Sequence, residues 1–232
     1  MKVAISERFY TIQGEGPTSG MPCLFIRFSD CNLHCNGAWL CDSQGVMSKT
    51  YTMDLEREIL QTATPMWANC ERIIFTGGEP MLYQEEILEI IEFVRTTNKS
   101  MQYEIETNGT IMPNESLLRM ANMQFNCSPK LSNSGQIEAR RIKPKVIDAL
   151  ARQTYKSVFK FVVNSPEDLE EIRRDFRVLW VNYKYKLWFM PAGANQEQLA
   201  ITAPLVAQLC IEEGVNFSNR NHIVLWNDKK GV

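Results

Sequence analysis

The chain has 232 residues, 44% of them hydrophobic, with 25 Lys and Arg against 27 Asp and Glu. So even a balance gives no broad electrostatic pull toward nucleic acid or an anionic membrane, and the length suffices for one substantial core, read as one domain over residues 1–232. The N-terminal residues MKVAISERFYTIQGEG lack the basic-then-apolar layout of a secretory signal, and no stretch approaches the roughly 18 apolar residues of a membrane span; the expectation is a cytoplasmic protein acting on a small molecule.

Apolar runs rich in β-branched and aromatic residues predict strands at Cys23–Ser29, Arg72–Thr76, Met101–Thr107, Met123–Ser128, Ser157–Val163 and Leu187–Met190. Helical spacing predicts helices at Asp54–Thr62, Gln84–Arg95, Asn114–Ala121, Pro144–Arg152, Pro166–Asp175 and Gln196–Glu213. Ser165-Pro166-Glu167 reads as a helix start, with a capping hydroxyl followed by proline and acids. Alternating strands and helices predict a parallel sheet with crossover helices, open or curved toward a barrel. In either form chemistry gathers at the C-terminal ends of the strands.

Three of the seven cysteines, Cys31, Cys35 and Cys41, lie within eleven residues directly after the first predicted strand. Three thiolates on a polar loop suit an iron–sulfur cluster that keeps one iron open. A structural zinc site would ask for a fourth ligand, and His34 is the nearby candidate; unrelated loop thiols are the third reading. Cys23, Cys70, Cys127 and Cys210 sit in apolar contexts and read as core residues. Thr76-Gly77-Gly78-Glu79-Pro80 follows the second predicted strand, where two glycines permit close backbone approach and Glu79 offers a carboxylate to an ammonium group. On its own this is equally a strand-to-helix turn. Arg27 could likewise lie on a solvated strand face or pair with an acid, and Gln13-Gly14-Glu15-Gly16 could be only a turn.

Together the cysteine loop and the GGEP turn resemble the radical S-adenosylmethionine (SAM) superfamily, whose usual cluster motif is C-x3-C-x2-C. Here the first spacing is kept, and five residues separate Cys35 from Cys41 where two are usual. Tyr10-Thr-Ile-Gln13-Gly14-Glu15-Gly16, Arg27, Trp39, Cys41-Asp42-Ser43, Glu106-Thr107-Asn108-Gly109, Ser128-Pro129-Lys130 and Lys160-Phe161-Val162-Val163 narrow this to a resemblance, over nearly the whole chain, to the 7-carboxy-7-deazaguanine synthase family.

The resemblance implies an incomplete TIM-like barrel of the radical SAM type, an α/β fold. It implies an enzyme that contracts the ring of 6-carboxy-5,6,7,8-tetrahydropterin to 7-carboxy-7-deazaguanine with loss of ammonia. The implied cofactors are a 4Fe-4S cluster on Cys31, Cys35 and Cys41, SAM, and magnesium bound by Ser43. The pterin would meet Ile12, Gln13, Gly14, Glu15, Arg27, Thr76 and His222. SAM would meet Trp39, Gly77, Gly78, Glu79, Ser128, Pro129 and Lys130. An electron donor such as flavodoxin or ferredoxin and a second copy of the chain are the implied protein partners, with no direct role for nucleic acid. Two alternatives stay open: a radical SAM activase that makes a glycyl radical on a partner, and a non-catalytic zinc-binding module.

Overall fold

The computed structural model describes residues 2–37, 41, 51–54, 70–152 and 156–231. Nine strands form one sheet: β1 (Lys2–Ile12), β2 (Pro22–Phe28), β3 (Tyr51–Asp54), β4 (Arg72–Gly77), β5 (Gln102–Thr107), β6 (Met123–Cys127), β7 (Ser157–Val163), β8 (Leu187–Pro191) and β9 (Asn216–Phe217), in the order β3-β1-β2-β4-β5-β6-β7-β8-β9. From β2 to β9 every pairing is parallel, whereas β1 runs antiparallel to both β2 and β3. The sheet does not close, and the architecture is the partial barrel expected. All six predicted strands are present within a residue or two of their expected limits.

Among the described residues the helices are α1 (Gln84–Thr97), α2 (Glu115–Arg119), α3 (Glu138–Arg141), α4 (Pro144–Arg152), α5 (Pro166–Asp175), α6 (Arg177–Asn182), α7 (Gln196–Glu213) and α8 (Asn221–Trp226). Five correspond to predicted helices; the helix expected at Asp54–Thr62 falls outside the described residues, apart from Asp54, which ends β3. At the start of α5 the Asp168 carboxylate accepts the backbone N–H groups of Asn164 (2.7 Å) and Ser165 (3.2 Å), so an acid in the first turn holds the entry to the helix.

The period of two along the strands sorts the sheet into two faces. One carries Phe75, Tyr103, Ile105, Phe125, Phe159, Phe161 and Phe189, all buried in one core with Ile87, Ile90, Ile91 and Val94 of α1 and Val146, Ile147 and Leu150 of α4. Burying each such side chain contributes about 1.5–3 kcal/mol, so this face drives the helices onto the sheet. Phe28, Phe75 and Tyr103 stack along it with centroid separations of 6.4 and 6.2 Å, bracing β2, β4 and β5 in register. The other face carries the polar row Arg27, Thr76, Glu104, Glu106, Asn126 and Lys160. That row, at the C-terminal half of the parallel strands, is where the site lies.

Candidate active site

The GGEP turn is fitted to the cysteine loop by backbone contact. Gly78 N–H donates to the Phe28 carbonyl (3.2 Å) and Glu79 N–H to the Asp30 carbonyl (2.7 Å). A Cβ on Gly78 would stand 2.1 Å from the Asp30 carbonyl oxygen, and one on Gly77, whose φ is +135°, would stand 2.2 Å from that of Phe28. Both glycines are therefore required by the close passage of the two chain segments, whatever they do for a ligand.

Glu79 lies outside the lining of the two cavities described below. Its carboxylate is fully buried and accepts hydrogen bonds from Thr107 Oγ1 (2.7 Å), Asn108 N–H (2.7 Å) and Met81 N–H (3.0 Å). Burial pushes its pKa up, against the lowering effect of these donors. Through Thr107 and Asn108 it ties the turn to the end of β5. Asn108 continues the tie, donating to the Asn32 side chain (2.9 Å) and, at 4.0 Å, to Cys31 Sγ.

Cys31, Cys35 and Cys41 all line one cavity of about 480 Å³, together with Thr76, Gly77, Gly78, Ser128, Lys130 and the tips of β5, β7 and β8. Burial raises the Cys31 thiol to about 11, opposed by a hydrogen bond from Leu33 N–H to its sulfur (3.4 Å) and by the nearby Lys130; burial raises Cys35 as well. Neutral thiols become thiolates when a metal displaces their protons. The donor set fits a cluster better than zinc. Three cysteines line the cavity while His34, the fourth ligand considered from the sequence, is exposed to solvent. Among the described residues no three His, Cys, Asp or Glu side chains close on a single-ion site, and a cubane does not ask for that, because it spreads its ligands over separate irons.

A second cavity, of about 210 Å³, shares Glu15, Thr76, Glu106 and Ala194 with the first. It brings together Ile12, Gln13, Gly14, Glu15, Arg27, Thr76 and His222, residues drawn from both ends of the chain. The His222 ring packs against Gly14, where a Cβ would stand 2.3 Å from Nδ1. Asn221 N–H donates to the Gly14 carbonyl (2.9 Å), and Gly16 N–H to Ser218 Oγ (2.7 Å), so the C-terminal segment clasps the turn after β1. Arg27 lines this cavity and pairs with Glu7 at 2.7 Å, with its guanidinium 5.9 Å from the Phe9 ring centre.

Between the cavities runs a buried charge network. Lys160 Nζ lies 2.7 Å from Glu106 and 3.0 Å from Glu15, and Arg220 Nε reaches Glu15 at 3.2 Å. Burial favours the neutral form of Glu15, but Lys160 and Arg220 more than reverse it and hold the carboxyl well below its usual range. At Glu106 burial prevails over Lys160 and the pKa is raised. Burial likewise works against the charge on Lys160, and its two acids overcome it and raise the pKa. Gln13 Nε2 donates to Glu106 (3.0 Å) and Glu104 (3.3 Å), and Asn126 Nδ2 to the same two acids (2.8 and 2.7 Å).

Residues 12–145 match the family model described as a 4Fe-4S single cluster domain. Over 177 residues the chain is 30% identical to the 7-carboxy-7-deazaguanine synthase of Aquifex aeolicus, a match spanning 75% of this chain and 70% of that one. The chain belongs to the 7-carboxy-7-deazaguanine synthase family. Similarity to members from Halobacterium salinarum (29% identity, 97% of this chain and 90% of that one) and Clostridium acetobutylicum (29%, the full length of both) extends over essentially the whole chain. The crystal structure of QueE from Escherichia coli superposes with a TM-score of 0.69 at 22% identity, over 96% of this chain and 95% of that one, and shares the fold.

Of the synthase residues expected to meet SAM, Gly77, Gly78, Ser128 and Lys130 line the first cavity. Pro129 is buried beside it, outside the lining, and Trp39 and the expected magnesium ligand Ser43 lie outside the described residues. The loop carrying Ser128–Lys130 is set from behind: Arg141, buried, donates to the Lys130 carbonyl (3.1 Å) and pairs with Glu171 (2.9 Å), which accepts Ser132 N–H (2.8 Å). Sequence reasoning gave no role to Glu104 or Asn126, used Lys160 only as part of the family resemblance, and placed Arg220 only in a segment, Arg220-Asn-His222, that resembles the family's substrate-proximal end. For Glu104, Asn126 and Lys160 the signal was a polar or charged residue inside an otherwise apolar strand, as in Ser-Val-Phe-Lys-Phe-Val-Val, where an unpaired lysine would be prohibitive; Arg220 lies outside the strands and carried no such signal.

Proposed function

We propose that this chain catalyses the radical SAM ring contraction of 6-carboxy-5,6,7,8-tetrahydropterin to 7-carboxy-7-deazaguanine with loss of ammonia. The observation that carries the reading is the pair of adjoining cavities with a common wall, one bearing three thiols and the other bearing Arg27, Gln13 and His222, in a chain matched along its length by synthases of that name.

Cys31, Cys35 and Cys41 would hold the 4Fe-4S cluster, and Gly77, Gly78, Ser128 and Lys130 would border SAM. When bound and reduced, the cluster supplies the electron that cleaves SAM and starts radical chemistry. The residues of the chain then position and shield. The fork of Arg27 suits a carboxylate, and its pairing with Glu7 fixes its direction before substrate arrives. Gln13, held through its amide by Glu104 and Glu106, presents the turn after β1 to the pterin, and the His222 ring closes that side. Glu15 and Glu106, linked by Lys160, place fixed charge between the two cavities, so that polar ring atoms find partners without rearrangement. Ser43 would offer its hydroxyl to magnesium, a cation that prefers oxygen ligands.

The reading includes a protein electron donor of the flavodoxin or ferredoxin kind, a homodimer, and a cytoplasmic setting. Among the described residues no helix is long and apolar enough to cross a membrane. The test is anaerobic reconstitution with iron and sulfide followed by incubation with SAM, dithionite, magnesium and the carboxytetrahydropterin. Mass spectrometry should find the deazaguanine only when all components are present; a colourless protein, or SAM cleavage with no deazaguanine from the pterin, would count against the assignment.

A further inference from the structure

Among the described residues, the segment running from Ser134 into α3 packs on the cysteine loop. Asn36 N–H donates to the Ser134 carbonyl (3.1 Å), Gln136 Nε2 to the His34 carbonyl, and Arg140 Nη2 to the Asn32 carbonyl (3.0 Å). Gly37 lies so close to this segment that a Cβ there would stand 2.2 Å from the Asn133 carbonyl oxygen. The segment therefore packs directly on the loop bearing Cys31 and Cys35.

Its outer surface has a charge opposite to that of the chain as a whole. The formal net charge of the chain is −2, yet residues 136–145 hold Arg140, Arg141, Lys143 and Lys145 against Glu138 alone. Arg141 turns inward to Glu171, which leaves Arg140 and Lys145 exposed and Lys143 half-buried. Among them stands Ile137, 66% exposed. An apolar centre with a cationic rim has the layout of a transient docking site, where charge steers the encounter and the centre excludes water.

We propose that this surface docks a small acidic one-electron carrier protein that reduces the cluster, an inference that rests on the radical SAM reading of the cysteine loop. One electron leaves the reduced carrier and enters the cluster; no bond forms or breaks, and no proton need move. Because the segment is hydrogen-bonded at three points to the loop that bears Cys31 and Cys35, a carrier seated on it is separated from that loop by this one segment.

The test compares a purified acidic flavodoxin with dithionite as reductant. In Lys143→Glu/Lys145→Glu the affinity for oxidised flavodoxin, measured by biolayer interferometry at low salt, should fall about tenfold, and the KM for reduced flavodoxin should rise alike. Salt should weaken wild-type binding and affect the variant little. Lys145→Glu alone should show a smaller shift of the same sign. Cluster absorbance and dithionite-driven SAM cleavage should stay at wild-type levels in both. Arg119→Glu, on α2 at the opposite, N-terminal edge of the strands, should leave flavodoxin affinity unchanged. The proposal fails if the double variant binds flavodoxin as wild type does, if dithionite-driven cleavage falls equally, or if Arg119→Glu weakens binding as much. Should the wild type itself not cleave SAM with dithionite, the radical SAM reading falls first and takes this one with it.

Discussion

Replacing Lys160 by methionine keeps the length of the side chain and removes its charge from between Glu15 and Glu106. Lys160 is 1% exposed and makes both ion pairs at 3.0 Å or less, so its ammonium has no compensation from bulk water and the two acids that flank it lose their shared partner when it is removed. Breaking a buried pair by deleting one partner costs roughly 3–5 kcal/mol, against about 0–1 for a surface pair. The pH dependence follows from the two acids. Glu15, held below its ordinary 4.5 despite burial, contributes stability that is present above that value and lost as the pH falls through its folded pKa. Glu106, raised by burial in spite of Lys160, has the opposite dependence: its charge opposes folding at neutral pH, and protonation relieves the cost. The contribution of Lys160 is fully present below 10.5 and is lost only as the pH rises through its raised folded pKa, so it is constant across the acid range. In Lys160→Met both acids lose their shared cation and both pKa values rise, so the penalty should be largest at pH 7 and should shrink toward pH 5. Urea denaturation followed by far-ultraviolet circular dichroism at both pH values measures it. A penalty below about 1 kcal/mol, or one equal at the two pH values, would refute the view of Lys160 as the clamp of a buried charge network.

Gly78→Ala should destabilise the fold by about 1–3 kcal/mol through overpacking against Asp30 and should impair cluster loading; denaturation midpoints and the brown absorbance report the two effects. Arg27→Lys keeps charge but loses the planar fork, so the carboxytetrahydropterin should bind about one to two decades more weakly by isothermal titration, with cluster absorbance and SAM binding unchanged; equal affinity would leave Arg27 as merely the ion-pair partner of Glu7. Alanine at Cys31, Cys35 or Cys41 should each abolish the brown cluster, whereas alanine at Cys23, Cys70, Cys127 or Cys210 should leave it, as expected of core thiols away from the cavity; a full, SAM-cleaving cluster in Cys41→Ala would remove that residue from the ligand set.

What the sequence disclosed of the fold depended on the length and regularity of each signal. The parallel strands were legible as runs of β-branched and aromatic residues, interrupted only by the polar residues that face the site. By contrast, β1 was missed because its register shifts between Ile5 and Glu7, which breaks the alternation that marks a strand. β9 has two residues and α3, α6 and α8 four to six, too few for a period to show. The cysteine loop and the GGEP turn were legible as motifs, but the packing of Gly77 and Gly78 against Phe28 and Asp30, and the burial of Glu79 among Thr107, Asn108 and Met81, follow from the pairing of β4 with β2 on one side and β5 on the other. The clasp of Ser218, Asn221 and His222 on the turn at Gln13–Gly16 joins the two ends of the chain, and no local pattern announces such a contact.

The central claim is that the three thiols and the Arg27 cavity serve one reaction across a shared wall. Its most direct test is a single-turnover experiment on the anaerobically reconstituted protein, counting 5′-deoxyadenosine and 7-carboxy-7-deazaguanine with and without the carboxytetrahydropterin. The pterin should accelerate SAM cleavage, and the deazaguanine should appear with it. SAM cleavage at the same rate whether or not the pterin is present, with no deazaguanine formed, would contradict it.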